Sequence, residues 1–95
     1  MSDAVIRHER EEKRWVLYLD GEPVSVAEYS RRGDSYAIEH TVTRPGMEGR
    51  GLARQLVQQV LTDVRSEGAT VVPVCSYVAA YLRRHPEEQD LLREV

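Results

Sequence analysis

The sequence has a single cysteine, a single lysine and no long apolar run. Cys75 cannot form an internal disulfide, and no Cys or His stands near it at zinc-ligand spacing, so we expect no metal site. Lys13 is the one lysine among 13 lysine and arginine residues. No stretch approaches the ~20 apolar residues of a membrane span, and no secretory signal pattern opens the chain. These absences predict a cytoplasmic protein with no membrane partner.

Length and composition favour a small globular protein. The chain has 95 residues, 41% of them hydrophobic and 31% charged, which fits one folded domain over residues 1–95. The net charge is −3, and the arginines form no basic stripe interleaved with aromatic residues. We therefore expect no nucleic-acid partner.

The residue pattern of the first half of the chain predicts an antiparallel sheet, with strands at 4–8, 14–19, 23–31 and 35–43. Asp20-Gly21 is a strong hairpin signal because both positions tolerate positive φ. A period of two along the fourth strand predicts one shared face for four side chains, those of Tyr36, Ile38, His40 and Val42.

The second half changes to a helical period at Leu52. One apolar stripe is predicted for the helix, made of Leu52, Leu56, Val57, Val60, Leu61 and Val64. Gly68 is a typical C′ residue, and the strand after it should lie parallel to residues 35–43 because a helical crossover joins the two. A helix over 76–84 should stop before Pro86, with a short helix over 87–93 behind it.

A glycine-rich turn joins the two halves. Gly46, Gly49 and Gly51 leave the backbone free to turn its N–H groups inward, and the helix that follows offers a positive dipole end, so the turn suits phosphate. Arg50 and Arg54 add charge. The turn matches neither a Walker loop nor G-x-G-x-x-G, and an ordinary strand-to-helix turn is the alternative interpretation.

The segment Glu48–Ala53 resembles the pyrophosphate loop of GNAT-type N-acetyltransferases, whose pattern is Arg/Gln-x-x-Gly-x-Gly/Ala. Gly51 and Ala53 fall on the two small positions, whereas Glu48 replaces the usual Arg or Gln. The segments 39–42, 72–78 and 81–86 occur in the order and spacing of a compact GNAT-like branch with a Pro-x-Cys-Ser-Tyr segment.

This resemblance implies a GNAT-like α+β fold. The sheet would be mostly antiparallel, with about five strands, a central amphipathic helix and short C-terminal helices. Strands 35–43 and 70–74 would splay apart in a V that holds acetyl-CoA as cosubstrate, with an unidentified amine as the acceptor. The expected cofactor-binding residues are Thr41, Val42, Glu48, Gly49, Arg50, Gly51, Leu52, Ala53, Arg54, Tyr77, Tyr81 and Arg84.

Cys75 and His40 are the predicted catalytic residues. Cys75 precedes a predicted helix, whose N-terminus lowers a thiol pKa, and His40 is the nearest imidazole by topology. Cys75 could instead be a small core residue and His40 a buried core histidine. His8 and His85 would be surface or capping residues.

Two alternatives for the activity remain open. The amine could attack the thioester directly, with Glu39 as base and Tyr81 as acid. The chain could also be a CoA-binding module that senses acyl-CoA without turnover, because no helix pair walls an acceptor pocket.

Overall fold

A five-stranded sheet with helices packed on one face forms the described part of the protein. The coordinates are a computed structural model, which describes residues 4–93. The elements are β1 Ala4–Glu9, β2 Arg14–Leu19, β3 Glu22–Arg32, β4 Ser35–Thr43, α1 Leu52–Ser66, β5 Thr70–Pro73, α2 Ser76–Arg84 and a 3₁₀ helix Pro86–Leu91. The predicted fold is confirmed, since this is a mostly antiparallel α+β arrangement with short helices at its C-terminal end.

The strands lie in the sheet in chain order, and tight turns explain that order. β1 to β4 pair antiparallel, and β5 joins parallel to β4. Asp20 and Gly21 adopt φ values of 51° and 81°, the positive pair that a two-residue hairpin turn needs. Each short turn therefore places a strand beside its predecessor, and the crossover through α1 makes the last pair parallel.

A β-bulge at Glu39 divides β4 into two halves. Ile38 lies opposite Tyr29 and His40 lies opposite Glu28, so Glu39 is one extra residue on β4. The extra residue reverses the alternation of side chains beyond it. Ile38 is fully buried in the core, whereas Val42 is 63% exposed. The predicted common face holds for Tyr36 and Ile38. It is wrong for His40 and Val42, which follow the bulge.

α1 covers the sheet with the apolar stripe that its sequence predicts. The buried side chains of α1 are Leu52, Leu56, Val57, Val60, Leu61 and Val64. They pack with Trp15, Leu17 and Ile38 of the sheet in one core. Gly68 ends the helix with φ 70° and donates its N–H to the Arg65 carbonyl, so the predicted C′ role is confirmed.

β4 and β5 separate after four paired residues. Their parallel register runs from Ser35 opposite Thr70 to Ile38 opposite Pro73, and the Cys75 N–H still reaches the Ile38 carbonyl at 2.8 Å. Beyond that bond the chain turns into α2, and β4 continues to Thr43 with no β5 partner within the described residues. The two strands thus leave a gap at this end of the sheet.

The C-terminal segment differs from the predicted helix over 87–93. Pro86 begins a 3₁₀ helix, in which the Glu88 N–H bonds to the His85 carbonyl at 2.9 Å, and the helix ends at Leu91. Leu91 is buried and Leu92 is partly buried against the core.

His8 belongs to a cluster of aromatic side chains rather than to the surface. Its ring stacks on Trp15 at a centroid distance of 3.9 Å, and its Nε2 lies 2.7 Å from the Tyr29 hydroxyl. Burial is the main cause that lowers the pKa of His8, and nearby Arg10 adds to it. The sequence predicts a surface or capping role for His8, whereas the structure places its half-buried ring in this aromatic cluster.

Candidate functional site

A cavity of about 370 Å³ opens where β4 ends and α1 begins. Its size is within the range of small-molecule sites. The lining residues are Thr43, Met47, Glu48, Gly49, Gly51, Leu52, Ala53, Arg54 and Tyr77. We call it the first cavity. It joins the end of a strand, the glycine-rich turn and the first turn of α2 around one space.

The N-terminus of α1 faces this cavity without a cap. Gly51 is the N-cap residue with φ 75°, and among residues 4–93 no side chain caps the helix and no acidic residue occupies its first turn. The first helical bond runs from the Gln55 N–H to the Gly51 carbonyl. The N–H groups of Leu52, Ala53 and Arg54 therefore have no intrahelical acceptor, and the helix dipole adds positive potential. This end of α1 suits an anion.

Glu48 brings a negative charge to the same turn. One carboxylate oxygen accepts a hydrogen bond of 3.0 Å from the Gly46 N–H, and the side chain is exposed. A carboxylate beside the cavity opposes an anionic ligand. Attraction for phosphate must therefore come from the N–H groups of the helix and from Arg54, which also lines the cavity.

The second half of β4 offers an open hydrogen-bonding edge beside the gap. Arg44 donates its N–H to the Val24 carbonyl of β3 at 2.8 Å. Backbone groups of alternate residues in a strand point to opposite sides, so those of Thr41 and Thr43 point away from β3. The edge therefore faces the gap that β5 leaves, and an extended ligand could pair with it as an added strand does.

Cys75 lies at the inner end of this gap, at the N-cap of α2. Its half-buried thiol is 3.5 Å from the Thr41 hydroxyl oxygen. Burial has the largest influence and raises the pKa of the thiol. Hydrogen bonds from the Thr41 hydroxyl and from N–H groups of Tyr77 and Val78 outweigh it, so the pKa lies below its ordinary value. These contacts favour a thiolate at the gap.

His40 faces the other side of the sheet from this thiol. The bulge at Glu39 places His40 opposite Glu28, and the His40 side chain is exposed. Thr41 lies opposite Ala27, which is a core residue. The side chain beside the Cys75 thiol is therefore that of Thr41. His40 does not occupy the buried core position considered for it.

The groups considered for direct attack are also placed by the structure. The Glu39 carboxylate accepts a hydrogen bond of 3.0 Å from Ser30. Tyr81 is 7% exposed, and burial raises the pKa of its hydroxyl. A raised pKa makes Tyr81 a weaker acid than an ordinary tyrosine.

A second cavity of about 340 Å³ adjoins the first and is bordered by the first turn of α1 and by α2. It is lined by Arg54, Tyr77, Ala80, Tyr81, Arg84 and His85. Arg54 and Tyr77 line both cavities, so the two spaces are neighbours. We call it the second cavity.

A family model described as GCN5-related N-acetyl-transferase matches residues 14–91. This chain belongs to the GCN5-related N-acetyl-transferase family. The match covers every element from β2 to the 3₁₀ helix, and so includes the turn, Cys75 and both cavities. Among curated protein sequences, none matches this GCN5-related chain significantly.

Two solved structures share the fold. The solution structure of a GCN5-like protein from Staphylococcus aureus superposes with a TM-score of 0.76 at 18% identity, covering 100% of this chain and 93% of that one. The ribosomal-protein-S18-alanine N-acetyltransferase from Escherichia coli gives a TM-score of 0.61 at 18% identity, covering 77% of this chain. This chain spans 51% of that enzyme, about half its length. At these identities the likeness concerns the fold.

Most residues that the sequence indicates for cofactor binding lie around the two cavities of this GCN5-related protein. The first is lined by Glu48, Gly49, Gly51, Leu52, Ala53, Arg54 and Tyr77, and the second adds Tyr81 and Arg84. Among the described residues, Arg50, Thr41 and Val42 lie outside both linings. Thr41 instead contacts Cys75, and the Val42 side chain is on the other face of the sheet.

Sequence reasoning missed four lining residues and one contact. Met47 and Thr43 border the first cavity, Ala80 and His85 border the second, and the Thr41 hydroxyl is the side-chain partner of Cys75. Met47 lies inside the glycine-rich turn, so its position was a usable signal. The contact between Thr41 and Cys75 depends on the bulge, for which the sequence has no local signature.

Within 4–93, no group of three or more His, Cys, Asp or Glu side chains is placed to hold a metal ion. In the same part of the chain, no helix is both long and apolar enough to span a membrane.

Proposed function

We propose that this protein binds acetyl-CoA at the first cavity and along the open edge of β4, and transfers the acetyl group to an amine. The observation that carries the proposal is the uncapped N-terminus of α1, which faces a cavity bordered by the free end of β4. In this proposal residues 1–95 act as one acetyl-CoA-binding domain. Membership of an N-acetyl-transferase family supports the acyl-transfer chemistry.

The pyrophosphate of the donor would lie on the turn and first helical residues, 48–54. Backbone N–H groups there have no intrahelical acceptor, and Gly51 carries no side chain that would hold a phosphate away. The pantetheine amides would pair with the backbone of Thr41 and Thr43, which points into the gap. The thioester would then reach the inner end of the gap, where Cys75 lies.

Cys75 would take the acetyl group first. The thiolate attacks the thioester carbonyl, a new S–C bond forms, and the bond to the CoA sulfur breaks, so CoA leaves as a thiolate that takes a proton from water. The neutral amine then attacks the acetyl-cysteine, loses its proton to water, and restores the Cys75 thiolate. Thr41 acts as a positioning residue, because its hydroxyl stabilises the thiolate.

Intact mass spectrometry after incubation with acetyl-CoA tests the covalent step. We expect one added acetyl group on the wild-type protein, loss of this adduct in Cys75→Ala, and slower adduct formation at neutral pH in Thr41→Val. The valine keeps the shape and the backbone edge but removes the hydroxyl. His40→Gln is the matched control on the same strand, and we expect it to acetylate Cys75 at the wild-type rate.

Transfer assays with peptide and polyamine amines separate the remaining mechanisms. Unchanged turnover in Cys75→Ala would contradict the covalent route and favour direct attack on the thioester. Calorimetric binding of acetyl-CoA without product from any acceptor would favour a module that binds acyl-CoA without turnover. No binding of acetyl-CoA would refute the proposed function itself.

A further inference from the structure

The side of the sheet that faces away from the helices carries exposed apolar side chains. Within residues 4–93, the buried side chains of all three helices belong to the core that contains Trp15 and Leu17. We call the opposite side of β1–β4 the outer face. Val5 and Val42 lie on it and are 46% and 63% exposed, and two further cavities, of about 330 and 340 Å³, share Tyr18 there. Apolar side chains on a sheet side without a second layer are typical of a contact surface.

The strand register arranges the outer face in rows that cross the sheet. Residues directly opposite each other on antiparallel strands point to the same side, so each row holds one side chain from each of β1–β4. The charged row is Glu9, Arg14, Glu28 and His40, and the row beside it is Arg7, Val16, Val26 and Val42. The charged row alternates from carboxylate to guanidinium to carboxylate and ends on an imidazole, whose N–H can donate to a carboxylate.

The charged row is complementary to itself when its order is reversed. A two-fold axis between β2 and β3, parallel to the strands, would lay the outer face on that of a second copy in this reversed order. Arg14 then faces Glu28 of the second copy, and Val16 faces Val26 of the second copy. The carboxylate and the imidazole at the two ends of the row face each other likewise. Among residues 4–93, Glu28 takes part in no ion pair, so its carboxylate is free for this contact.

The size of the outer face also suits a second copy. The protein measures 37 × 29 × 20 Å, and its short dimension is the stack of sheet and helices. The sheet therefore presents the broad side, which is large enough for the about 800 Å² per partner that stable dimers bury. Two sheets pack face to face with nearly aligned strands. A two-fold axis across the strands would set the charged row against Val5 and Tyr18, so the charges favour the axis along the strands.

We propose that two copies of this protein associate through their outer faces, about a two-fold axis that runs parallel to the strands between β2 and β3. β1 of one copy then lies over β4 of the other, and the valines of β2 and β3 form the centre of the contact. The first and second cavities stay open, because they lie on the helix side of the sheet. The association is independent of acetyl transfer.

Sedimentation velocity over a concentration series tests the dimer. For the wild-type protein at about 1 mM, we expect twice the chain mass of 10.9 kDa. In Val42→Asp, we expect the dissociation constant to rise by about tenfold or more, because a carboxylate would be buried without a partner.

Val74→Asp is the matched control for Val42→Asp. Val74 is 53% exposed, follows β5, and lies outside the four strands of the outer face. We expect its dissociation constant to stay within about twofold of the wild-type value. Because both valines are exposed, circular dichroism should show both variants folded, so a changed mass cannot reflect unfolding.

Charge reversal tests the two-fold arrangement. Glu28→Arg sets like charges against Arg14 of the second copy, and Arg14→Glu sets like charges against Glu28 of the second copy. We expect each variant alone to associate about tenfold or more weakly than the wild-type protein. In an equal mixture, each contact again joins an arginine to a glutamate, so we expect the two variants to pair with each other. Arg14 also bonds to Glu9 at 2.7 Å, and thermal melting of each variant reports its folding separately.

Three results would overturn this dimer. The first is a wild-type protein that keeps the mass of a single chain up to about 1 mM, which would leave the outer face to solvent or to another molecule. The second is equal weakening by Val42→Asp and Val74→Asp, which would place the contact elsewhere. The third is a mixture of the two charge variants that stays monomeric. None of these results concerns the binding of CoA, so each leaves the proposed function standing.

Discussion

Gly51→Ala should weaken binding of CoA far more than its effect on folding explains. Gly51 has φ 75°, where a residue with a Cβ costs about 1–2 kcal/mol relative to the ordinary backbone region. The added Cβ would meet no protein atom within 4 Å, so the free energy of unfolding should fall by that backbone cost alone. For a domain of this size, each 1 kcal/mol lowers the melting temperature by about 4–8 °C.

Gly68→Ala is a control at the other end of the same helix. Its φ is 70°, and a Cβ there would also meet nothing within 4 Å, so the loss of stability should be similar. Gly68 follows the last turn of α1, away from the uncapped N-terminus that faces the first cavity. Thermal melting should therefore show comparable losses for the two variants.

Calorimetry with CoA then separates the two glycines. In Gly51→Ala the new methyl group stands where a phosphate approaches the backbone, and we expect affinity to fall by about tenfold or more. In Gly68→Ala we expect affinity within about twofold of the wild-type protein, because sites far apart act independently. Equal affinities for CoA in Gly51→Ala and Gly68→Ala would refute the placement of the pyrophosphate at the N-terminus of α1.

Two further predictions concern stability. Burial lowers the pKa of His8, so the folded protein resists a proton that the unfolded chain accepts near its ordinary pKa of about 6.5. The free energy of unfolding in urea should therefore be higher at pH 7.5 than at pH 5.5, and the decline should be smaller in His8→Phe. An identical decline in both proteins would contradict the assignment to His8. Leu56 is fully buried, so Leu56→Ala should lower the free energy of unfolding by about 2–5 kcal/mol. The exposed neighbour variant Gln55→Ala should stay within about 0.5 kcal/mol of the wild-type protein, and similar losses in the two would argue against this packing.

The local signals in the sequence account for much of the fold. Asp20-Gly21 predicts the hairpin because the backbone there needs positive φ, and the spacing from Leu52 to Val64 predicts the buried stripe of α1. The crossover predicts the parallel pairing of β5 with β4. These features depend on neighbouring residues or on a fixed period, so one sequence suffices to find them.

The misplaced residues depend on contacts between distant segments. A period of two predicts His40 on the face of Ile38 because it assumes an unbroken strand, whereas Glu39 breaks the alternation only through pairing with β3. The local sequence predicts a surface or capping role for His8, but its ring stacks on Trp15 across the first hairpin. The polar partner of Cys75 likewise follows from register rather than from sequence distance.

The extra residue in β4 exchanges the two faces of the strand for every side chain that follows it. Before Glu39, the inward positions of the strand carry core side chains such as Ile38; after it, they carry threonines. One strand thereby presents apolar side chains to the interior along its first half and hydroxyl side chains to the gap along its second half. Substitutions in residues 41–43 can then alter the chemistry at the gap while the core side chains of the first half of β4 stay unchanged.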